Sequence, residues 1–205
     1  MPLTDPQPDI DLLRQLRGGD MAALSALYRK HSGPLYRFAV LQCGGADLAH
    51  DIVQETFLAL MDAKGKFDPT QGSLGNYLFG VARNLSRRAL EQSRRWVSNE
   101  HEDDSESNWA DAAPQPMERL LANETAEAVR AALAKIPPHF REVVILYEMH
   151  DFSYAEAATA CGIDIGTVRS RLHRGRALLL KALNRAGLSH PDTTESNDAA
   201  LKQEA

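Results

Sequence analysis

The sequence holds very little cysteine: Cys43 and Cys161 are the only two among 205 residues. Two thiols without CxxC spacing make neither a disulfide framework nor a zinc site, so both read as small buried hydrophobes. A redox switch, or a metal site joining Cys43, His50 and Cys161, is the minor alternative. No apolar run approaches the roughly 20 residues of a membrane span, and the opening Met-Pro-Leu-Thr-Asp-Pro is unlike a signal peptide, so the cytoplasm is the expected compartment. Glycine and proline, at 13 and 10, are too sparse for a fibrous or wholly disordered chain. The sequence also lacks an alternating β-rich run and an internal repeat. It has no nucleophile–base spacing, phosphate loop or His-Glu metal motif, so no catalytic residue, metal or cofactor is expected and the chain is not expected to be an enzyme.

What is there is ordinary for a soluble globular protein, with 43% hydrophobic and 25% charged residues, and the length suits two small domains better than one of medium size. The formal net charge of −5 speaks against nucleic-acid binding only if charge is averaged. It is sharply segregated instead. Glu100, Glu102, Asp103, Asp104, Glu106 and Asp111 form a tract without one Lys or Arg, between basic segments near Arg94 and Arg169. Residues 99–115 have no apolar period and read as a solvated linker, and the polar tail after Gly187 reads as disordered. The expected fold is all-α, with two small helical domains joined by that acidic linker.

The segment from Ser153 to Lys181 carries the most information, because it has the pattern of a helix-turn-helix. Ser153 and Glu156 form a capping box for a helix with small Ala155, Ala157, Ala158 and Ala160. Gly162 supplies a left-handed stop, and Asp164 is placed to cap the second helix. At 100° per residue, Ile165, Val168, Leu172, Leu179 and Leu183 share one face of that helix, and Thr167, Ser170, Arg174 and Lys181 lie opposite. Arg171 and His173 flank the basic stripe; Arg169 sits near the core boundary, from which its stem reaches around. Such a face can grip phosphate and read base edges, and a plain solvated basic helix is the bland alternative.

Residues 11–95 have long helical periodicity with expected breaks at Gly18-Gly19, Gly33-Pro34, Gly44-Gly45 and Asp68 to Gly72, which suggests a helical bundle. The helix over residues 47–63 places Ile52, Val53, Phe57 and Leu60 on one face and Asp51, Gln54, Glu55 and Leu58 on the other. An apolar anchor with a polar rim suits a partner, and a solvated face with one stray leucine suits this helix equally well. The helix over residues 73–94 turns Leu74, Tyr77, Leu78, Val81 and Leu85 inward and leaves Arg83, Asn84, Arg87 and Arg94 as a second basic stripe. The polar loop before it is able to surround an unstacked base. Pro137-Pro138 ends one helix of the second domain and opens the next.

In this order, DLAHDIVQETFLAL, KFDPTQGSLGNYLFGVARNLSRR, an acidic linker and IPPHFREVVILYEMHDFSYAEAATACGIDIGTVRSRLHRGRALL resemble the bacterial RNA polymerase sigma factors of the extracytoplasmic-function group. The resemblance covers about residues 9–186. It implies a region 2 domain at 9–96, a linker at 97–116, a region 4 domain at 117–186 and a tail at 187–205. It implies that Asp51, Gln54, Glu55 and Leu58 meet the β′ clamp of core RNA polymerase, with a further contact to the β flap. It implies that Phe67, Asp68, Thr70, Gln71 and Ser73, with Arg83, Asn84 and Arg87, capture the promoter −10 element. Thr167, Arg169, Ser170, Arg171, His173 and Arg174 then read the −35 element. Promoter DNA and an anti-sigma factor are the other implied partners. His50 stands where the family has an acidic residue and Tyr77 where a tryptophan is usual. A free-standing, dimerising regulator is the rival from the same broad class, but it leaves the stripe at Arg83, Asn84 and Arg87 without a purpose.

Overall fold

The computed structural model describes residues 6–62, 67–99 and 124–186. The acidic linker and the tail after Ala186 lie outside the described residues. Every regular element among those described is helical. The first lobe comprises α1 (Pro6–Arg17), α2 (Met21–Cys43), α3 (Ala46–Asp62) and α4 (Leu74–Asn99), with a 3-10 turn at Pro69–Gln71 before α4. The second comprises α5 (Glu124–Ala134), α6 (Pro138–Val144), a π-helical turn at Ile145–Met149, α7 (Tyr154–Cys161) and α8 (Ile165–Arg185).

Local chemistry sets most of these boundaries. Asp20 accepts from the Ala22 amide and starts α2, and Gly44, with φ 87, ends it. Pro138 opens α6 at a position where its missing N–H costs nothing. Ser153 and Glu156 make the expected capping box, and Gly162 has φ 62 at the end of α7. Two expectations need correction. Gly33-Pro34 does not break the chain, because α2 runs through Pro34 with Leu27, Leu35, Phe38 and Ala39 buried on either side. Tertiary packing there outweighs the one lost backbone bond. Asp164 precedes α8 without a side-chain capping bond, so that helix starts on backbone geometry alone.

α2 has buried residues on more than one side from Leu35 to Gln42 because it touches α1, α3 and α4 in its own lobe and α5 and α6 in the other. The two lobes share one hydrophobic core. Phe79 of α4 is the pivot: its ring lies 5.6 Å from Phe38, 5.1 Å from Phe152 and 4.8 Å from His150, all near edge-on. The π turn and the left-handed Asp151 (φ 55) that follows bring His150 and Phe152 back toward the first lobe. α4 runs close to α7 at Gly80, where a Cβ would lie 3.5 Å from the Ala160 carbonyl oxygen, in ordinary van der Waals contact.

Arg141 adds a polar tie to this apolar contact. Its guanidinium donates to the carbonyls of Gln42 (2.6 Å), Ala134 (2.7 Å) and Ile136 (2.9 and 3.2 Å), at the ends of α2 and α5. Those are orphan carbonyls at negative dipole ends, which suit a buried cation. Gln42 answers by donating to the Pro138 carbonyl across the same boundary, at 3.2 Å.

Candidate polymerase and nucleic-acid interfaces

α8 presents the most open basic face. Ser170, His173, Arg174 and Lys181 are exposed, whereas Val168, Leu172 and Ala182 are buried against the rest of the second lobe. Gly175 sets the closeness of that packing: a Cβ there would stand 2.5 Å from Val144 Cγ2 and 3.3 Å from the Phe140 carbonyl. The helical wheel misplaced three residues. Ile165 is 44% exposed, because the first turn of α8 projects beyond the core. Arg169 is not wrapped at the core boundary but exposed, its guanidinium 5.6 Å from the centre of the Tyr154 ring. Arg171 turns away from the stripe and donates to Glu142 at 3.2 Å. Thr167 is half-buried, and its carbonyl accepts from the Ser170 hydroxyl at 3.0 Å.

α3 separates its faces as its periodicity requires. Ile52, Val53, Phe57 and Leu60 are buried, and Asp51, Gln54, Glu55 and Leu58 are all exposed. Nearby, Tyr28 of α2 packs on Phe57 at 4.9 Å, and Met21, Tyr28 and Met61 are also exposed apolar side chains of α2 and α3. The His50 ring lies tilted against Tyr36, 4.6 Å between centres, beside this face.

The loop before α4 is partly built and partly anchored. Asp68 accepts from the Thr70 amide (2.9 Å) and hydroxyl (2.7 Å), and Ser73 accepts from the Asn76 amide (3.1 Å), so the loop backbone is pinned at both ends. Phe67 is not free to meet a base. It is buried, 5.5 Å from Tyr77, with its carbonyl accepting from Arg17 at 3.4 Å. The side chains of Gln71 and Arg94 lie outside those described. Asn84 and Arg87 are exposed as expected, and Arg87 pairs with Glu91 at 3.4 Å.

Arg83 departs most from its predicted place. It is 9% exposed and clamps Glu142 of the other lobe through Nε (2.8 Å) and Nη2 (3.0 Å). α4 is buried on more than one side, because Phe79 and Arg83 meet the second lobe while the helix also packs on α2 and α3 of its own. No periodicity count distinguishes an open basic stripe from one that a second lobe covers. Around this contact a cleft of about 610 Å³ is lined from the first lobe by Ser73, Tyr77, Asn84 and Arg87 and from the second by Ile163 and Arg171.

Several buried polar groups escaped sequence reasoning. Asp9 accepts from Lys30 (2.5 Å) and pairs with His31 (3.1 Å); burial opposes its ionisation, but those two partners hold the carboxyl below its ordinary value. His150 is pushed down to about 4, by burial first and then by the Arg37 charge, with Asp151 acting the other way. The Cys161 thiol is pushed up to about 12 by burial and the Glu142 charge, which suits an inert buried thiol. Among the described residues there is no group of three side chains able to hold a metal, and no helix long and apolar enough to cross a membrane.

The Sigma-70 region 2 family matches residues 27–96, and the Sigma-70 region 4 family matches residues 126–179. The chain is 36% identical to the ECF RNA polymerase sigma factor EcfG of Rhodopseudomonas palustris, over 87% of this chain and 86% of that one. It is 31% identical to the ECF RNA polymerase sigma factor SigL of Mycobacterium tuberculosis, over 83% and 94%. In three dimensions it is similar to the sigma factor RpoE in complex with the anti-sigma factor NepR from Bartonella quintana, with TM-score 0.64, 25% identity and coverage of 78% and 96%. It is equally similar to CnrH in complex with the cytosolic domain of CnrY, with TM-score 0.64, 27% identity and coverage of 87% and 98%.

Proposed function

From the premise that this chain belongs to the extracytoplasmic-function sigma factors of the sigma-70 family, we propose a division of labour among its exposed faces. The protein is a sigma factor: it serves RNA polymerase and directs initiation at a defined set of promoters. Asp51, Gln54, Glu55 and Leu58 on α3 take the β′ clamp, with Leu58 as the apolar anchor. Asp68, Thr70, Gln71 and Ser73, with Arg83 once it is released from the other lobe, Asn84 and Arg87, hold the −10 element; capturing a base there offsets an unpairing cost of a few kcal/mol without a catalytic group. Ser170, His173 and Arg174, flanked by Thr167, Arg169 and Arg171, read the −35 element in the major groove. The region 2 unit is taken as 9–96, the linker as 97–116 and the region 4 unit as 117–186, with the β flap a partner of the last.

The observation that carries this reading is the charge of the exposed faces: an acidic face with one leucine on α3, and a basic face opposite the core on α8. A polymerase-dependent factor needs both, and it needs weak DNA affinity on its own, which a net charge of −5 favours. By likeness to the sigma factor RpoE solved with the anti-sigma factor NepR, an anti-sigma factor holds this protein in check. The protein is an initiation factor rather than an enzyme and works in the cytoplasm with its polymerase. Run-off transcription with purified core polymerase tests the proposal. Initiation that depends on the added chain is expected, together with poor binding of free duplex; a tight operator complex without any initiation would give the case to the free-standing regulator.

A further inference from the structure

Glu142 of α6 is 3% exposed and holds one arginine from each proposed DNA-binding helix. Arg83 of α4 forks onto both its oxygens at 2.8 and 3.0 Å, and Arg171 of α8 donates to Oε1 at 3.2 Å. Both side chains are largely withdrawn from solvent, at 10% and 24% exposure. The fork geometry that fits a carboxylate also fits a phosphate. Two cations facing one anion leave this site one positive charge in excess. A nucleic-acid phosphate, which brings more negative charge than Glu142 alone supplies, is therefore a natural competitor for the same two guanidiniums.

We propose that Glu142 is an internal substitute for promoter phosphate: a latch that closes the two lobes on each other and occupies an arginine of both DNA faces until the lobes part. The inference rests on reading Arg83 and Arg171 as DNA contacts. Arg83 cannot reach a strand on α4 while the Nε–Nη2 edge of its guanidinium is held by Glu142 of the other lobe and Nη1 donates to Asn84 Oδ1 of its own helix at 3.3 Å. The same boundary carries a second polar contact, Asn76 Nδ2 donating to Glu156 Oε1 at 3.1 Å, at the rim of the cleft. Cys161 lies 2% exposed on the second-lobe wall of that cleft, where the Glu142 and Arg83 charges both act on its thiol, so its accessibility reports opening.

The test uses the free full-length chain in a Cys43→Ser background, with two readouts: the rate of Cys161 alkylation by N-ethylmaleimide, and anisotropy of a fluorescent single-stranded oligonucleotide. Glu142→Gln removes the charge and leaves Arg83 and Arg171 uncompensated. Because loss of the Glu142 charge by itself lowers the Cys161 thiol, alkylation rates are compared per thiolate from their pH dependence; a rate at least tenfold faster on that basis and oligonucleotide affinity raised at least fivefold are expected, with helicity by circular dichroism unchanged. Asn76→Asp, at a side chain 6% exposed on the boundary between the lobes, sets a second carboxylate against Glu156, and a severalfold faster alkylation is expected. It decides the matter alone if Glu142→Gln does not fold. Unchanged alkylation in the folded variants overturns the latch. Faster alkylation with unchanged oligonucleotide affinity overturns the substitution for phosphate, and leaves the sigma function to the run-off assay, which does not depend on either variant.

Discussion

Leu58 is 51% exposed on the side of α3 opposite the buried Ile52, Val53, Phe57 and Leu60, so folding gives no reason for it. Leu58→Arg is expected to abolish capture of core polymerase in a pull-down while leaving the helical circular dichroism intact. An anchor at the centre of an interface contributes about 2 kcal/mol or more, and a charge there adds desolvation. Normal capture would remove the clamp assignment, and lost helicity would mean that Leu58 supports the fold. His150 is the opposite kind of residue, buried with its Nε2 unpartnered against Phe38 and Phe79. Its folded value of about 4 lies below the ordinary 6.5, so the unfolded chain binds the extra proton between them. Stability is therefore full above pH 6.5 and is lost as pH falls toward 4, by about 3 kcal/mol in all. The lowered carboxyls of Asp9 and Glu156 titrate below their ordinary 3.8 and 4.5, outside the upper part of that window. In His150→Phe, which keeps a ring beside Phe79, the urea midpoint is expected to vary much less between pH 5 and 6.5; an unchanged slope would assign it to another group.

At the scale of the element, short-range signals were legible and long-range packing was not. The capping box at Ser153, the left-handed glycines at the ends of α2 and α7 and the proline at the start of α6 depend on residues within one turn, so the sequence alone displays them. The exposed face of α3 was equally legible, because that helix buries one side only. α2 and α4 defeated the same reasoning. Pro34 reads as a break unless one knows that three other helices of the first lobe and three elements of the second (α5, α6 and the π turn) surround that helix. Arg83 reads as part of an open stripe unless one knows that α6 brings a carboxylate to it. Gly175 is a further case: it sits between arginines in a basic run, yet it is the point where α8 meets α6. Gly175→Ala removes a backbone entropy cost of up to about 1 kcal/mol, but its Cβ would stand 2.5 Å from a buried valine methyl. Overpacking costs about 1–3 kcal/mol, so net destabilisation in urea unfolding is expected. A more stable variant would show that α6 and α8 can separate freely.

The whole molecule is two lobes that the sequence divides and the core joins. Composition marks the division, since an acidic stretch without apolar period lies between the two helical segments. The join is invisible there because it depends on single residues far apart in the chain: Phe38 and Phe79 on one side, His150 and Phe152 on the other, with Arg141 reaching the carbonyl of Gln42. Breaking that join exposes Phe79 and Phe152 and leaves Arg83 and Glu142 without their partners, which together oppose the separate unfolding of either lobe. The free protein is therefore expected to lose its structure in one cooperative transition. Native-state hydrogen exchange is the measurement: amides of Phe38 to Val40 in α2 and of Val143 to Leu146 at the end of α6 should lose protection at the same urea concentration, although no backbone bond links the two helices. Loss of the α6 amides well before those of α2 would mean that each lobe is stable by itself and that the shared core adds little. The coupling also bears on function, because a factor that opens only when polymerase compensates both lobes at once will engage its two promoter elements together rather than one at a time.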